Sequence, residues 1–429
     1  MLYAGIDLGT THTKVMLCDQ QGKLLWEHKL KVATHHPQHG WHEQNPLEIW
    51  QNVQSLLSKL ADLVNQLDEP VRICFSAAMH GIMAVNKDAI PLSPLLTWAD
   101  LRSVEAVQWV QQKTNALQLY QQTGTALHPM SPLCKIIWFR NNYSDLFAKT
   151  SMWVSCKDYV WYQLTGEWKA DHSVASASGL IDIRKRSWHN EALELAGINA
   201  AQLPELVDVS YRKRINKLPP GCGNWKQLPE WQIGASDGCL ANIGSDADRD
   251  GVMALTIGTS GAVRVLINEP VQLQKQLLFQ YAADEGRWLL GGAVNNGGNL
   301  LAWFSEVFLQ GTNTPETVML YWLDKAAAVP EGAEGLVCEP WVFGERAPIW
   351  DAHATASFTG IHAGHKKEHF LRALLEGAAK NIKKIVDEME TCNIHIHSVH
   401  ASGGFTASKL WVHIMEKTLG RKILIVGEQ

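Results

Sequence analysis

The same pattern of residues occurs twice in this chain: an apolar run, a short turn of glycine with threonine or serine, and a second apolar run. The first copy spans residues 2–18, with Asp7 just before the turn Gly9-Thr10-Thr11. The second copy spans residues 252–265 and has the turn Gly258-Thr259-Ser260-Gly261. Such runs predict β-hairpins, and small residues in a turn leave backbone N–H groups and hydroxyls open to a phosphate. Either turn alone could be an ordinary hairpin, but the repeat favours two phosphate-binding hairpins.

The length and charge of the chain limit its class. A chain of 429 residues exceeds what one hydrophobic core organises, so we expect two domains. The polar segment 245–251 is the predicted boundary, which gives domains at 1–245 and 246–429. The net charge is −5 without a block of like charge, so nucleic acid and membrane surfaces are not expected partners. Without a long apolar run or a leader-like start, we expect a cytoplasmic protein.

Cysteine usage does not indicate a metal or redox site. The eight cysteines are scattered along the chain, and none forms a C-x-x-C pair. We therefore expect reduced thiols that are mostly buried.

The spacing of apolar residues predicts the main elements of the first domain. Residues 3–30 read as three antiparallel strands, and apolar residues at a helical period predict a helix over 46–67 with Asn45 as its N-cap. Two later segments, 171–179 and 201–229, are small and polar or rich in proline and lysine. They are predicted to be surface connections.

Polar and aromatic side chains follow the apolar strand predicted at 71–75. Met79 and His80 come in the turn after this strand, and Trp98 and Asp100 follow a proline-marked segment. An aromatic side chain beside hydrogen-bonding groups suits a polyhydroxylated ligand. His80 could donate to a substrate hydroxyl or be an ordinary surface histidine, and Asp100 could instead pair with the neighbouring arginine.

Two strand-to-helix junctions are further candidates. Asp237 opens an apolar helix after a strand, and its local sequence slightly favours a structural N-cap. Gly403-Gly404 follows another strand, and a nucleoside site and a plain turn fit it equally well. There is no G-x-x-x-x-G-K-[ST] loop and no dinucleotide fingerprint, which disfavours P-loop enzymes and Rossmann dehydrogenases.

Together, the two hairpins, Asp237 and the late glycine pair resemble the FGGY carbohydrate kinases, a branch of the actin and heat-shock-chaperone superfamily. Two long stretches match the signatures of that family, 130–142 and 356–376. The first signature matches at Pro132, Lys135, Trp138, Phe139, Asn141 and Asn142. Within the family, the phrases at 78–80, 96–100, 128–132 and 295–298 resemble gluconate kinases, and xylulose kinases share part of them.

The resemblance implies a fold and an activity. The fold would be α/β and two-lobed, ribonuclease H-like, with mixed five-stranded sheets flanked by helices and a cleft between the lobes. The activity would be transfer of a phosphoryl group from ATP, with Mg²⁺, to a small sugar or sugar acid. A chaperone-like ATPase of the same superfamily is disfavoured because both sugar-kinase signatures are present.

The resemblance also implies roles for individual residues. Asp237 would be the general base and would lie near the metal, which Asp7 would hold, usually through water. The groups implied to meet the phosphates and the nucleotide are Thr10, Thr11, Lys14, Gly258, Thr259, Gly298, Gly403, Gly404 and Ser408. The groups implied to meet the sugar are Met79, His80, Trp98, Asp100 and Asp237.

Two features depart from the family pattern. His12 stands where many relatives carry serine, which would loosen one phosphate contact. The chain stops at residues 424–429, where members of the family continue, so we expect a missing C-terminal segment and weaker folding or nucleotide affinity. A catalytically impaired sugar- or nucleotide-binding relative is therefore an alternative, and a homodimer is a further expectation.

Overall fold

A computed structural model describes residues 1–309 and 316–426. The end of the chain, where a truncation was expected, lies partly outside the described residues, because residues 427–429 are not among them. The chain divides into two compact units, one of Met1–Ala241 with Tyr281–Trp288 and the other of Asn242–Gln280 with Leu289–Gln429. The domain boundary predicted between residues 245 and 246 stays a prediction; the two compact units first meet in sequence between Ala241 and Asn242. Within the described ranges, no helix is both long and apolar enough to cross a membrane.

The first half of the chain is built around one mixed sheet. The strands of this half of the chain are β1 (Leu2–Leu8), β2 (His12–Cys18), β3 (Leu24–Lys31), β4 (Glu43–Gln44), β5 (Val71–Ala77), β6 (Met83–Val85), β7 (Leu95–Leu96), β8 (Met152–Val154), β9 (Lys169–Asp171), β10 (Ile181–Asp182), β11 (Ser187–Trp188), β12 (Glu205–Val207), β13 (Arg212–Lys213) and β14 (Glu230–Ser236). Its helices are α1 (Pro46–Leu67), α2 (Val104–Lys113), α3 (Ala116–Thr123), α4 (Pro132–Asn142), α5 (Ser144–Lys149), α6 (Cys156–Thr165), α7 (His172–Ser176), α8 (Asn190–Ala196) and α9 (Asp237–Gly244).

The main sheet of the first unit has the order β13-β14-β5-β1-β2-β3, so it has six strands where five were expected. The predicted meander of β1, β2 and β3 is confirmed as antiparallel. β5 runs parallel to β1, and β14 runs parallel to β5. In register, Leu8 of β1 lies beside Ala77, and Ser236 of β14 lies on the other side of Ala77. The carboxyl ends of three neighbouring strands therefore meet at one edge of the sheet.

The predicted helix over 46–67 is confirmed as α1. Asn45 caps it by accepting a hydrogen bond from the N–H of Leu47, and Pro46 occupies the first turn, where its missing N–H has no helical partner to lose. The apolar stripe is buried against the sheet through Ile49, Val53 and Leu57. Full burial of one such side chain contributes about 1.5–3 kcal/mol.

The prediction that 171–179 is a surface connection is wrong. The segment contains the end of β9 and all of α7, and Asp171 and Ser173 are fully buried. Asp171 and Ser173 are buried with internal partners: Lys157 Nζ lies 2.7 Å from Asp171 Oδ2, and Ser173 Oγ lies 2.8 Å from Ser236 Oγ. Residues 201–229 also contain two short strands, β12 and β13, which the sequence did not predict.

The second half of the chain repeats the mixed-sheet design. Its strands are β15 (Val252–Ile257), β16 (Gly261–Ile267), β17 (Phe279–Ala282), β18 (Trp288–Val294), β19 (Val337–Glu339), β20 (Ser357–Thr359), β21 (Ser398–Ser402) and β22 (Ile423–Ile425). Its helices are α10 (Asn299–Leu309), α11 (Glu316–Ala327), α12 (Lys367–Thr391) and α13 (Lys409–Leu419). The main sheet has the order β17-β18-β16-β15-β21-β22.

The second predicted hairpin is confirmed as β15 and β16. These strands are antiparallel, with Ile257 opposite Gly261 across the turn. β21 lies parallel to β15 on the other side, with Thr256 beside Ser402. The Gly258 turn and the Gly403-Gly404 junction therefore leave the same edge of this sheet.

Candidate active site

Three loops of the first unit begin at the shared sheet edge. β1 leads into Gly9 and Thr10, β5 leads into Met79 and His80, and β14 leads into Asp237. The parallel register of these strands places the loops side by side, which explains how residues far apart in sequence form one site. The first hairpin, the candidate sugar-binding turn and the candidate base thus share one edge.

A pocket of about 350 Å³, counting the part open to solvent, lies in this unit. Thr10, Met79 and Trp98 line it together with Gln44 and Leu95. The indole Nε1 of Trp98 donates to Thr10 Oγ1 at 3.1 Å, so the aromatic side chain is tied to the phosphate hairpin. The structure therefore brings together three predicted site residues from separate loops.

His80 is not a surface residue. Its side chain is buried, and its Nδ1 lies 2.8 Å from the carbonyl oxygen of Ala177, which can only accept, so Nδ1 carries the hydrogen. Its φ is +65°, in the left-handed region that a non-glycine residue adopts at a cost. The ring also contacts Tyr281 edge-on, with centroids 5.8 Å apart. His80 is thus held in a strained conformation by packing on several sides.

Asp100 forms the internal ion pair that was the alternative to a ligand contact. Its carboxylate is fully buried, accepts from Arg102 Nε and Nη2 at 2.8 and 2.7 Å, and accepts from the N–H of His42 at 2.7 Å. The guanidinium of Arg102 stacks on Trp41, 3.7 Å from the ring centroid. Such a bidentate, stacked pair orders the loop that carries Trp98.

Asp237 is the first residue of α9, and its side chain is exposed. Its Oδ1 accepts from the N–H of Gly238 at 2.7 Å. Behind it, the carbonyl of Ala235 accepts from Lys157 Nζ at 3.0 Å, and the N–H of Ser236 donates to Ser173 Oγ at 3.1 Å. A buried polar network therefore holds the end of β14 directly before the candidate base.

The groups of the first hairpin differ in their surroundings. Asp7 Oδ1 accepts from Ser76 Oγ at 2.8 Å, while Thr11 is exposed and its Oγ1 lies 3.2 Å from Nδ1 of His12. Lys14 lies opposite Asp7 in the hairpin register, but its Nζ pairs with Glu27 on the next strand at 2.9 Å. The lysine predicted to meet phosphate is therefore engaged on a partly exposed surface.

The surroundings of Asp7 fit a magnesium ion. A Cβ on Gly9 would lie 3.3 Å from Asp7 Oδ2, so the glycine leaves space directly beside that oxygen. Mg²⁺ in phosphate sites commonly uses one or two carboxylates, with water and phosphate oxygens as its other ligands. In residues 1–309 and 316–426, the Asp7 site included, no group of three or more histidine, cysteine, aspartate or glutamate side chains is arranged to hold a metal.

A larger pocket lies within the second unit. It measures about 1150 Å³, again counting the part open to solvent. Five residues predicted to bind the nucleotide line it: Gly258, Thr259, Gly298, Gly404 and Ser408. Apart from Asn299, its other walls are apolar and include Leu301 of α10, Leu323 of α11 and Trp411 of α13. The second hairpin and the late glycine junction thus meet at one apolar pocket, as a nucleoside site requires.

Gly403 and Gly404 have different structural roles. Gly403 does not line the pocket; its φ is +97°, and a Cβ there would lie 2.4 Å from the carbonyl oxygen of Ile257. Only glycine allows β21 to pass this close to the end of β15. A Cβ on Gly404 would meet nothing within 4 Å, so this position is open.

Comparison with known proteins identifies the family. Residues 2–269 match the N-terminal domain of the FGGY family of carbohydrate kinases, and residues 253–429 match its C-terminal domain. The chain belongs to the FGGY family of carbohydrate kinases. The resemblance on which the sequence interpretation rested is confirmed.

Relatives of this FGGY kinase include two gluconokinases, from Bacillus licheniformis and Bacillus subtilis. Each is 35% identical over 98% of this chain and 83% of its own length. A xylulose kinase from Lactococcus lactis is 29% identical over 90% of this chain and 76% of its own length.

Solved structures agree on the fold. A gluconate kinase and a ligand-bound xylulose kinase, both from Lactobacillus acidophilus, each superpose with a TM-score of 0.92 at 30% identity. They cover 100% of this chain and 87% and 86% of their own chains. The predicted sugar-kinase fold class is confirmed.

Two buried charged residues of this FGGY kinase received no role from the sequence. Lys135, on α4, donates from Nζ to the carbonyls of His80 and Thr97, at 2.7 Å each. Glu345 accepts from the N–H groups of Asn295 and Arg346 at 2.5 and 3.0 Å. Its other oxygen accepts from the side-chain amides of Asn296 and Asn381 at 3.0 and 2.9 Å.

These two residues support the candidate site rather than line it. Lys135 holds the two loops of the first unit that carry Met79 and Trp98, and Glu345 organises the turn after β18. Burial lowers the pKa of Lys135 to about 7 and raises the pKa of Glu345 to about 7. For Lys135, the sequence did offer one signal of burial, a charged residue in an otherwise apolar stretch of α4. The local sequence does not indicate which groups it bonds to.

Proposed function

We propose that this FGGY kinase transfers the γ-phosphoryl group of ATP to a hydroxyl of gluconate. The observation that carries the proposal is the shared sheet edge, where Asp237 leaves β14 beside the loops of Met79 and Thr10. A carboxylate there can meet a sugar hydroxyl that rests against Met79 and Trp98. The identity to gluconokinases along nearly the whole chain supports gluconate as the acceptor.

The proposed reaction needs one proton transfer and one phosphoryl transfer. The oxygen of a gluconate hydroxyl forms a bond to the γ-phosphorus of ATP while the bond from that phosphorus to the β–γ bridging oxygen breaks. Asp237 accepts the hydroxyl proton, and ADP leaves with the bridging oxygen. Mg²⁺ held beside Asp7 and near Asp237 would neutralise phosphate charge. Met79, His80, Trp98 and Asp100 would form or order the sugar pocket.

The nucleotide is assigned to the pocket of the second unit. Thr259 would donate to phosphate oxygens, and Gly258, whose N–H donates to the carbonyl of Ser260 at 2.9 Å, would let the phosphates approach the turn closely because it has no side chain. The open position of Gly404 with Ser408 would admit the nucleoside. Gly298 and Gly403 would keep this site in shape through close backbone contacts. In the first unit, Thr10 and Thr11 would meet the phosphates, and Lys14 would do so only after leaving Glu27.

A second candidate acceptor is xylulose or another pentulose. The xylulose kinase from Lactococcus lactis and the superposition on a xylulose kinase structure favour it. The alternative outside the enzymes is a protein that binds the sugar or the nucleotide without catalysing phosphoryl transfer.

We also propose a cytoplasmic location, where ATP is available, and a homodimer. Light scattering after gel filtration tests whether the protein is a dimer.

One assay separates these functions. ADP release is measured with gluconate, xylulose, ribulose, glycerol or no sugar, for the wild type and Asp237→Asn. Gluconate-dependent turnover that the variant loses supports the proposal, and turnover on xylulose alone moves the acceptor to the pentulose. Sugar binding without turnover supports the inactive alternative. Sugar-independent ATP hydrolysis that Asp237→Asn retains would rule out a sugar kinase.

A further inference from the structure

We propose that Lys135 is a positioning residue for the sugar pocket, acting through the backbones of His80 and Thr97. The inference rests on the proposed function, because it concerns the pocket to which the sugar is assigned. Lys135 itself lines neither this pocket nor the nucleotide pocket. Its effect is on the loops that do.

Lys135 lies in the buried part of α4. Its side chain is 0% exposed, although α4 also has two exposed positions at its C-terminal end, Asn141 and Asn142. A lysine so buried loses its hydration, and only specific hydrogen bonds compensate for that loss. The two acceptors are the carbonyl oxygens of His80 and Thr97, each 2.7 Å from Nζ. The ammonium is therefore held for these two contacts.

The two carbonyls belong to the loops that line the sugar pocket. His80 has a left-handed backbone and follows Met79, and Thr97 precedes Trp98. Met79, Thr97 and Trp98 all line the sugar-side pocket. A strained residue keeps its conformation only when its surroundings over-determine it, and here the ring of His80 is held at Ala177 while its carbonyl is held by Lys135. The Nζ of Lys135 thus sets the spacing of the two loops.

The link between the two loops does not depend on the charge of the lysine. Burial lowers its pKa to about 7, while Asp100 nearby opposes this shift and Arg102 adds to it. A neutral amine still has two N–H donors, one for each carbonyl. The role is therefore geometric, and it predicts an effect on sugar binding rather than on proton transfer.

The test compares Lys135→Met with Lys157→Met, because each removes a fully buried ammonium from the same unit. Steady-state kinetics with gluconate and ATP give a KM for each substrate. We expect Lys135→Met to raise the KM for gluconate about tenfold or more, with the KM for ATP within about twofold of the wild type. Lys157→Met, whose Nζ supports the strand end before Asp237, should instead lower kcat.

Three kinetic outcomes would overturn the inference. They are an unchanged KM for gluconate in folded Lys135→Met, an equal rise in the KM of both substrates, and an effect indistinguishable from that of Lys157→Met. Far-UV circular dichroism and a cooperative thermal transition show whether a variant is folded. If Lys135→Met does not fold, Lys135→Gln, whose shorter amide still offers N–H donors, replaces it; a smaller rise in the KM for gluconate is then expected, and an unchanged KM again overturns the inference.

A second measurement separates this inference from the proposed function. Hydrogen exchange followed by mass spectrometry should show faster exchange within residues 79–82 and 96–100 in Lys135→Met than in the wild type. Unchanged exchange in both segments overturns the inference. The measurement needs no turnover, so a wild-type protein that fails to phosphorylate gluconate removes the proposed function and leaves this test intact.

Discussion

The N–H of Gly298 donates to the carbonyl oxygen of Gly258 at 2.7 Å, which docks the turn after β18 against the second hairpin. The neighbouring N–H of Asn299 donates to the carbonyl of Thr259 at 3.1 Å. A Cβ on Gly298 would lie 2.6 Å from the Gly258 oxygen. The shape of the hairpin turn at the nucleotide pocket therefore depends on a backbone contact that only glycine permits.

Gly298→Ala should weaken nucleotide binding. The added methyl must separate the turn from the hairpin, and a shift of this size commonly costs about tenfold to a hundredfold in binding or rate. Calorimetry with ADP and Mg²⁺ measures the effect, with gluconate affinity as an internal reference. The matched control is Gly286→Ala, where a Cβ meets nothing within 4 Å. Equal ADP affinity in both variants would refute this dependence.

Asp237→Asn should abolish most turnover while gluconate and ADP still bind. An amide keeps the size of the side chain but cannot take the proton, and loss of a general base typically costs about 10²–10⁴ in kcat. The control is Asp246→Asn, an exposed aspartate paired with Arg249. Coupled ADP release gives kcat, and a wild-type rate in Asp237→Asn would move the base elsewhere.

Asp7→Asn should raise the Mg²⁺ concentration that supports half-maximal activity. The substitution keeps the hydrogen bond to Ser76 available but removes the negative charge beside the Gly9 turn. Rates are measured over a Mg²⁺ titration at saturating ATP. Asp68→Asn, at an exposed helix end, is the control. An identical titration for Asp7→Asn and the wild type would contradict a metal role for Asp7.

Glu345 should make stability depend on pH in a defined direction. Its folded pKa, raised to about 7 from 4.5, means that the folded protein binds the proton more tightly than the unfolded chain does. Its contribution is fully present below about pH 4.5 and is lost as the pH rises toward 7, on the order of 3 kcal/mol in all. The stability of the wild type relative to Glu345→Gln should therefore fall between pH 5 and 8.

Denaturant unfolding of both proteins across that pH range measures the difference. Glu345→Gln should also be less stable than the wild type at pH 5 by about 1–3 kcal/mol, because its NH₂ group faces donors at one of the two oxygen positions. The control is Glu339→Gln, an exposed position on β19. A pH-independent difference would show that Glu345 does not carry this proton.

Much of the fold was predictable because its determinants are local. The hairpins of β1–β2 and β15–β16 follow from apolar runs around small turns, and α1 follows from its period, its Asn45 cap and its proline. The candidate site residues Thr10, Met79 and Trp98 were also named from the sequence, and the structure places them around one pocket.

Other features depend on contacts between distant parts of the chain. The segment 171–179 looks like a surface loop because it is small and polar, yet Asp171 is buried against Lys157. Gly403 looks like a ligand-binding glycine, but its side-chain position faces the backbone of β15. No local pattern distinguishes these cases, because the partner that decides each one lies on another strand or helix.

The sequence by itself determined the family, the two hairpins and the set of candidate residues, because turns and periodic runs act over a few neighbours. Only the tertiary structure decided which of those residues meet. Parallel register brings Asp237, Met79 and Thr10 to one edge, and a single ammonium, Lys135, bonds to carbonyls 55 and 38 positions away. Burial makes such a long-range partner obligatory, since a polar group removed from water must find its hydrogen bonds inside the protein.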